Sequence, residues 1–487
     1  MTTHNQGARV PESQETLIRR NLARSRIIVM VAFAANAGLN LALLGILAKW
    51  GGLNLVGAWS FLNAVLLLVM LAEFGITNAL TYRIGRDGLE AAAPVLRLLL
   101  HLLAALAILF AAGAYWLAPD WGLALALTVL AGMLQLGSDW LIAIRMGHHE
   151  QYWFNVKTVL RVVLQTAAAL GFYHAAPDHA PTAFALALLV SRGAEFLLSR
   201  FMTRREFALR GPRAELAQIS KLTKGFGLLS VAQRGLDPLS RLLIAALAGA
   251  EALGVFTIAW RVSAVVNQSV SEALRVLLPG LAAMRTAEDQ DRVCRLMRDS
   301  VAGQLVLVGA AMLAIAIHAD LLFRTWLGQS DETLVAVLRI FLIGGAGAAV
   351  TTPFFWASQA FGQVTPMARL NLLQVAATLG LGAAVLWDAP EISGFVTVYA
   401  LSQGLAGLVP VYLVNRAGGL AWRVAAGLPL AVITGYLAAV TALNLALTHL
   451  PFDTAPVYLL LTVLACNLVT TAPAGLLILR RLKAAAP

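Results

Sequence analysis

Long apolar segments follow one another along almost the whole chain, from about residue 26 to residue 482, with short polar breaks between them. Each segment is long enough to cross the hydrocarbon core of a bilayer, which takes roughly 20 apolar residues in a helix. Hydrophobic residues occupy 59% of the 487 positions and charged residues only 13%, so too little polar surface remains to cover a water-soluble fold. The sequence therefore predicts an all-α, polytopic membrane protein.

The apolar segments predict about 14 transmembrane helices. Their approximate bounds are 26–49, 54–81, 93–118, 121–144, 153–175, 181–202, 225–249, 252–281, 301–322, 334–360, 365–387, 393–415, 421–448 and 455–479. Arginine and lysine close to span ends are retained in the cytoplasm. The N-terminal tail and every second loop after it are basic, whereas the intervening loops are mostly acidic. Both termini are therefore predicted to be cytoplasmic.

The longest polar stretch between spans divides the chain near its middle. In this stretch apolar and charged residues alternate at helical spacing, as in an interfacial helix. The resulting domain prediction is a cytoplasmic tail at 1–25, a first six-helix bundle at 26–202, an interfacial linker at 203–224, a second six-helix bundle at 225–416, and two extra helices with a short cytoplasmic C-terminus at 417–487.

A short internal repeat supports this division. Leu55–Ser60 opens span two and Ala252–Thr257 opens span eight, and both read apolar, Gly, any residue, aromatic, Ser or Thr. Six spans separate the copies, an even number, so both halves have the same orientation in the membrane. The repeat predicts two facing halves around a pseudo-two-fold axis along the membrane normal.

Basic residues inside spans are the candidate binding groups, because a charge in hydrocarbon costs about 2.5 kcal/mol or more unless it meets water or a partner. Arg234, Asp237 and Arg241 share one face of span seven, and Arg261 shares a face of span eight with Glu272. Arginine binds phosphate through a bidentate fork. We take Arg234, Arg241 and Arg261 as candidate residues for binding an anionic headgroup, although the same spacing also fits structural ion pairs.

Four acidic residues inside spans are candidates for ion coupling or for structural ion pairs, namely Glu73, Asp139, Asp237 and Glu272. Glu73 has no basic residue within one helical turn, so it either carries a coupling ion or meets an arginine from another span. The sequence does not distinguish a proton from a sodium ion as the coupling ion, and no other cofactor is expected.

Some site classes are not expected. Cys294 and Cys466 lie in different environments and lack partners for a metal site, and no catalytic residue is assigned.

The net charge of +11 is spread over span ends, which favours anionic lipid headgroups over nucleic acid as neighbours of these charges.

Several segments resemble the polysaccharide or O-antigen flippases of the multidrug/oligosaccharidyl-lipid/polysaccharide exporter superfamily. They are Val56–Ser60 followed by Leu71–Leu80, Asp237–Arg241, Leu253–Arg261, Leu278–Pro279 and Trp326–Gly328. Phe256 stands where members of this family often have tyrosine. The resemblance implies two six-helix bundles in a V that open alternately to each side of the bacterial inner membrane.

By the same resemblance, the substrate is a lipid-diphosphate-linked oligosaccharide, moved from the cytoplasmic to the outer leaflet. A polysaccharide polymerase and glycosyltransferases are the implied protein partners. The assignment of diphosphate binding to Arg234, Arg241 and Arg261 rests on their charge and face geometry.

Three other functions fit the sequence less well. A cation-coupled multidrug or toxic-compound extruder would need a cavity dominated by unpaired carboxylates, whereas the spans here hold at least as many arginines as acids. A membrane glycosyltransferase or polymerase would need acidic catalytic residues in an outer loop, and the first outer loop, Lys49–Asn54, has none. A structural scaffold would not need buried charges. We therefore expect a transporter and not an enzyme.

Overall fold

The computed structural model describes residues 12–117, 120–148, 150, 152–209, 214, 226–274, 290–416, 419–448 and 467. Within these ranges the secondary structure consists of α-helices and one short 3₁₀ helix, with no strand. This confirms the all-α prediction.

The helices are α1 Glu12–Leu71, α2 Ile76–Asp87, α3 Leu89–Leu117, α4 Gly122–Gly147, α5 Tyr152–Ala175, α6 Ala180–Thr203, α7 Phe226–Arg234, α8 Leu236–Leu247, α9 Gly249–Leu274, α10 Gln290–Ile317, α11 Ala319–Leu327, α12 Glu332–Ala360, α13 Val364–Asp388, α14 Ile392–Arg416, α15 Leu420–Ala426 and α16 Leu430–Thr448. The 3₁₀ helix is Pro177–His179, between α5 and α6.

Ten helices of the described ranges are long and apolar enough to cross a membrane, so the protein is a multi-pass membrane protein. The predicted number of spans is larger, for reasons visible in the helices. The predicted loop between spans one and two falls inside α1, at Gly51 and Gly52, where the backbone leaves helical geometry. Predicted span seven is split at Gly235 into α7 and α8. The last predicted span, 455–479, lies outside the described residues except for residue 467, so the number of spans stays a prediction.

Predicted span two, 54–81, is not one continuous helix. The amides of residues 72–74 donate three residues back along the chain, which tightens the end of α1 into a 3₁₀-type turn. Phe74 and Gly75 then adopt positive φ values of 42° and 70°, and α2 begins at Ile76. The hydropathy pattern does not reveal this break, because the residues around it are almost all apolar.

The helices form two compact units. The first comprises Met1–Leu43 and Val65–Ser230. Within it α4 packs against α2, α3 and α6, and α5 packs against α6. Glycines allow these close approaches: a Cβ on Gly132 would lie 2.9 Å from Val69, and one on Gly137 would lie 2.9 Å from Phe196.

The second unit comprises Leu44–Ala64 and Val231–Pro487. Its central helix is α12, which packs against α9, α10 and α14. An aromatic cluster from α9, α12 and α14 fills the space between them, formed by Phe256, Phe341, Phe395 and Tyr399. Edge-to-face contacts such as the one between Phe256 and Phe341, at 5.3 Å between ring centroids, favour a fixed arrangement. The domain bounds predicted from the sequence stay a prediction, since most of the linker 203–224 lies outside the described residues.

Candidate functional sites

The second unit buries a polar group that we call the Arg241 site, formed by Ser60, Asp237, Arg241, Thr257 and Trp260. Arg241, on α8, is only 6% exposed. Its Nε donates to Oδ1 of Asp237 at 2.9 Å, and its Nη1 donates to Oγ of Ser60 at 2.7 Å and to Oγ1 of Thr257 at 3.2 Å. Cζ of Arg241 lies over the ring of Trp260, 4.8 Å from its centroid. The site therefore holds one arginine by an ion pair, two hydroxyls and a cation–π contact.

The two copies of the sequence repeat build this site by packing against each other. A Cβ on Gly57, in the second part of α1, would overlap the carbonyl oxygen of Ala250 on α9. A Cβ on Gly254 would in turn overlap the carbonyl oxygen of Leu53. The contact is reciprocal. Ala250 lies four positions before Gly254, and Leu53 lies four positions before Gly57, so the two helices contact each other through equivalent positions, as a local two-fold axis requires. Glycine is needed at both positions because the two backbones touch.

The residues after these glycines complete the crossing. Ser60 and Thr257 each lie three positions beyond the repeat glycine, and their hydroxyl oxygens are 2.6 Å apart. Thr257 also donates to the carbonyl oxygen of Leu253, so its hydroxyl is oriented by its own helix. The sequence predicted the repeat, but not that its two hydroxyls would meet and jointly accept from Arg241.

A second arginine lies near the Arg241 site. Arg261, on the next turn of α9 after Thr257, is close enough to interact electrostatically with both Arg241 and Asp237. Asp237 thus interacts with two guanidinium groups. Nη2 of Arg241 makes no hydrogen bond to any residue that the structure describes. An anion could therefore bind to Arg241 or take the place of Asp237 on its Nε.

The other two predicted residues of this region are Arg234 and Glu272. Arg234 is the last residue of α7 and is exposed, whereas Arg241 is buried. Glu272 lies in α9, but its side chain is outside the described part of the chain.

The first unit buries a second charged group, which we call the Lys157 cluster and which consists of Asp139, Lys157, Arg161, Arg192 and Glu195. Lys157 is fully buried. Its Nζ lies 2.5 Å from Oδ1 of Asp139 and 3.3 Å from Oε1 of Glu195. Nη1 of Arg161 lies 4.0 Å from the same Glu195 oxygen. Arg192, which is 5% exposed, makes no hydrogen bond through Nε or Nη1 to the described residues.

Hydroxyl groups extend the Lys157 cluster towards the end of α6. Lys157 Nζ donates to Oγ of Ser138 at 3.2 Å, and the hydroxyl oxygens of Ser138 and Ser199 are 2.8 Å apart. The cluster joins α4, α5 and α6 and combines three cations with two carboxylates. Each carboxylate is therefore compensated inside the unit, which is what a buried charge requires.

Glu73 caps a helix. It is 2% exposed, and its two carboxylate oxygens accept from the backbone amides of Gly75 at 3.0 Å and Thr77 at 2.6 Å. These amides belong to the first turn of α2, where no backbone carbonyl is available to them. The cap is a role that neither prediction for Glu73 included. The break after Leu71, which creates this helix start, was not visible in the sequence pattern.

No group of three or more His, Cys, Asp or Glu side chains that could hold a metal ion occurs among the described residues.

Comparison with protein families gives one match. The family described as "Polysaccharide biosynthesis protein" matches residues 66–336. No curated protein gives a significant match to the chain.

Solved structures of similar fold cover most of the chain. The lipid II flippase MurJ in an inward closed conformation has a TM-score of 0.70 at 9% identity, and the match covers 94% of this chain and 98% of that chain. An inward-facing multidrug resistance MATE family transporter of the MOP superfamily has a TM-score of 0.64 at 15% identity, covering 81% and 98%. A MOP superfamily transporter from Pyrococcus furiosus, described as having a binding pocket of reversed polarity, has a TM-score of 0.57 at 16% identity, covering 83% and 96%. At these identities the likeness establishes the fold.

Proposed function

Because the chain belongs to the polysaccharide biosynthesis protein family, we propose that it is an alternating-access flippase for a lipid-diphosphate-linked oligosaccharide. In this proposal the substrate moves from the cytoplasmic to the outer leaflet of a bacterial inner membrane. The observation that carries it is the Arg241 site, a buried arginine on α8 that is held by hydroxyl groups from two helices long enough to cross a membrane.

The chemistry of the Arg241 site suits a phosphate group. A guanidinium is permanently charged and offers paired donors that match phosphate oxygens, and the low dielectric of a membrane protein strengthens this contact. Ser60 and Thr257 add hydroxyl groups that can donate to phosphate oxygens once they turn away from each other. Arg261 supplies a second cation for the second phosphate, and Arg234 is proposed to meet the substrate at the exposed end of α7.

The sugar portion would use other contacts. Trp260 presents an aromatic face beside Arg241, and Gln268, further along α9, is exposed. Aromatic and amide side chains of this kind bind sugars through stacking and hydrogen bonds. The proposed partners are the enzymes that make and consume such a substrate, namely glycosyltransferases and a polysaccharide polymerase.

Ion coupling is proposed through carboxylates that water can reach. The side chains of Asp139 and Asp237 are 15% and 23% exposed, whereas that of Glu195 is fully buried. A proton or a sodium ion is the proposed coupling ion. Multidrug transporters share the fold, but the carboxylates of the Lys157 cluster already lie beside cations, so the extruder function is the weaker candidate.

The test is to measure lipid-linked oligosaccharide in each leaflet, together with surface polysaccharide, in cells that carry the Arg241→Gln variant in place of the wild type. Loss of the charge should cause substrate to accumulate in the cytoplasmic leaflet and should remove the surface polymer. Arg241→Lys keeps the charge but cannot bind Asp237 and Ser60 through one planar fork, so transport should also fall, by about tenfold or more, as for loss of a charge-assisted hydrogen bond.

Arg324→Gln is the matched control. Arg324 pairs with Asp320 at the same i,i+4 spacing and at the same distance of 2.9 Å, but on an exposed surface. Its removal should leave transport unchanged. Normal surface polysaccharide in cells with Arg241→Gln would contradict the proposed role of this site.

A further inference from the structure

The first unit carries an apolar groove on the side formed by α3, α4 and α6. The groove encloses about 430 Å³ and is lined by eleven apolar residues, one histidine and one arginine. Helix α3 is largely exposed along this region, with Ile108 at 73% and Leu109 at 64% exposure, as expected for a helix that faces lipid. The groove therefore opens where membrane lipids have access to it.

The two basic residues of the groove, His101 and Arg200, belong to a basic patch at the end of the unit. Nη1 of Arg200 donates to the carbonyl oxygen of Phe207 at 3.3 Å, and Nε of Arg97 donates to the carbonyl oxygen of Ala208 at 2.9 Å. His101 bonds through Nδ1 to the carbonyl oxygen of Arg97 at 2.6 Å. Three basic side chains thus gather around one end of an otherwise apolar groove.

The length of the groove matches one leaflet. On α6 its lining runs from Leu189 to Arg200, which corresponds to about 16 Å at the rise of an α-helix. The hydrocarbon core of a bilayer is about 30 Å thick, so the groove reaches from the basic end to about the middle of the membrane. Its volume lies in the range of small-molecule sites, about 300–1,000 Å³.

We propose that this groove binds one acyl chain of an anionic phospholipid, with the phosphate at Arg200 and His101. Its apolar wall, through residues such as Leu134 and Phe196, would pack along the acyl chain. A phosphate ion without an acyl chain would not contact this apolar wall. A zwitterionic headgroup would be attracted less strongly to the basic end of the groove. The chain of a polyprenyl carrier is much longer than one leaflet is deep, so it fits the groove less well. The site is independent of the proposed transport function, since it shares no residue with the Arg241 site.

The test uses the full-length protein purified in mild detergent and incubated with equal amounts of phosphatidylglycerol and phosphatidylethanolamine, followed by mass spectrometry of the retained lipid. Wild type should retain phosphatidylglycerol preferentially. Arg200→Gln should lower this retention about fivefold, as expected for one basic group at the membrane surface. Ala104→Trp, which fills the groove, should lower the retention of both lipids.

The controls lie on the same unit but outside the groove. Arg86→Gln removes a basic residue at the end of α2, and Ile108→Trp places the same indole side chain as Ala104→Trp at an exposed position of α3. Neither should change lipid retention. His101→Gln leaves the hydrogen bond from Arg200 to Phe207 in place. If gel filtration shows that Arg200→Gln or Ala104→Trp is misfolded, lipid retention by His101→Gln tests the proposal.

Three results would overturn the proposal. They are equal retention of the two phospholipids by wild type, unchanged retention in Ala104→Trp and His101→Gln, and displacement of phosphatidylglycerol by an equal amount of a polyprenyl phosphate.

Discussion

Burial distinguishes ion pairs that look alike in the sequence. Asp237–Arg241 and Asp320–Arg324 have the same spacing, and the ion pairs are 2.9 Å long in both. The Arg241 side chain is 7% exposed and that of Arg324 is 64% exposed. An exposed ion pair contributes little to stability, because water screens its charges. The charge of a buried arginine must be compensated by partners inside the protein. Spacing alone therefore could not rank these pairs, and the partners Ser60 and Thr257 show why Arg241 tolerates burial.

At the residue scale we predict that Glu195→Gln strongly destabilises the protein. The variant leaves Lys157, Arg161 and Arg192 with Asp139 as the remaining carboxylate of the cluster. Breaking a buried charge pair costs about 3–5 kcal/mol, because the remaining charges stay buried without compensation. The measurement is thermal unfolding of the purified protein in detergent.

The control for this prediction is Glu150→Gln. Glu150 pairs with Arg145 at 3.2 Å, and both side chains are partly exposed, at 29% and 21%. Its removal should change stability by less than about 1 kcal/mol. Equal melting temperatures for the two variants would mean that the Lys157 cluster does not hold α4, α5 and α6 together.

The members of the Lys157 cluster could be recognised in the sequence, but the cluster could not. Asp139, Lys157 and Glu195 stand out because each places a charge inside an apolar span. Their partners are on other helices, and no spacing rule connects residues that are 18 or more positions apart. The same limit applies to Ser60 and Arg241, which are 181 positions apart.

At the element scale, a close helix crossing explains the sequence repeat. The repeat glycines allow α9 and the second part of α1 to touch backbone to backbone, and the hydroxyls that follow them then meet. The sequence showed two similar segments, and the structure shows that they pack on each other.

The turn Trp326–Gly328 also allows a close contact between helices. Gly328 ends α11 with a φ of 78°, and Trp326 packs so closely against Gly45 that a Cβ on Gly45 would overlap the ring of Trp326.

We predict that Gly57→Ala destabilises the protein by about 1–3 kcal/mol, the range for overpacking of a tight contact. The added Cβ must push away the carbonyl oxygen of Ala250, which separates the helices and stretches the contact between Ser60 and Thr257. Gly254→Ala should behave in the same way. The double variant should lower the free energy of unfolding by less than the sum of the two single variants, because both substitutions open the same contact. Thermal unfolding of the three variants measures this.

Gly435→Ala is the control for the glycine variants. Gly435 lies inside α16, and a Cβ there would meet nothing within 4 Å. This substitution should be neutral or should stabilise the protein by up to about 1 kcal/mol, since alanine favours helix over glycine. If Gly57→Ala were as harmless as Gly435→Ala, the close crossing would not exist in the folded protein.

At the scale of the whole molecule, composition and segment length were enough to predict a helical multi-pass membrane protein. They were not enough for the helix boundaries. The break between α1 and α2 depends on the positive φ of Phe74 and on the cap by Glu73, and the break between α7 and α8 falls at a single glycine, Gly235. An apolar segment has the same hydropathy whether it is continuous or broken. Hydropathy therefore predicts where the chain is in lipid, and local hydrogen bonding decides where each helix ends.

The orientation in the membrane also stays a prediction, and α6 provides a direct test. Asp178 precedes this helix and Arg204 follows it, and both are exposed. A helix of 24 residues is about 36 Å long, which exceeds the roughly 30 Å of a hydrocarbon core, so the two residues should lie on opposite sides of the membrane.

In a variant with Cys294→Ser and Cys466→Ser, Asp178→Cys should react with a membrane-impermeant maleimide in intact cells. Arg204→Cys should react only after the membrane is opened, because arginine-rich ends are retained in the cytoplasm. The reverse labelling pattern would invert the topology. The basic end of the α3–α4–α6 groove and its phospholipid would then face the outer leaflet.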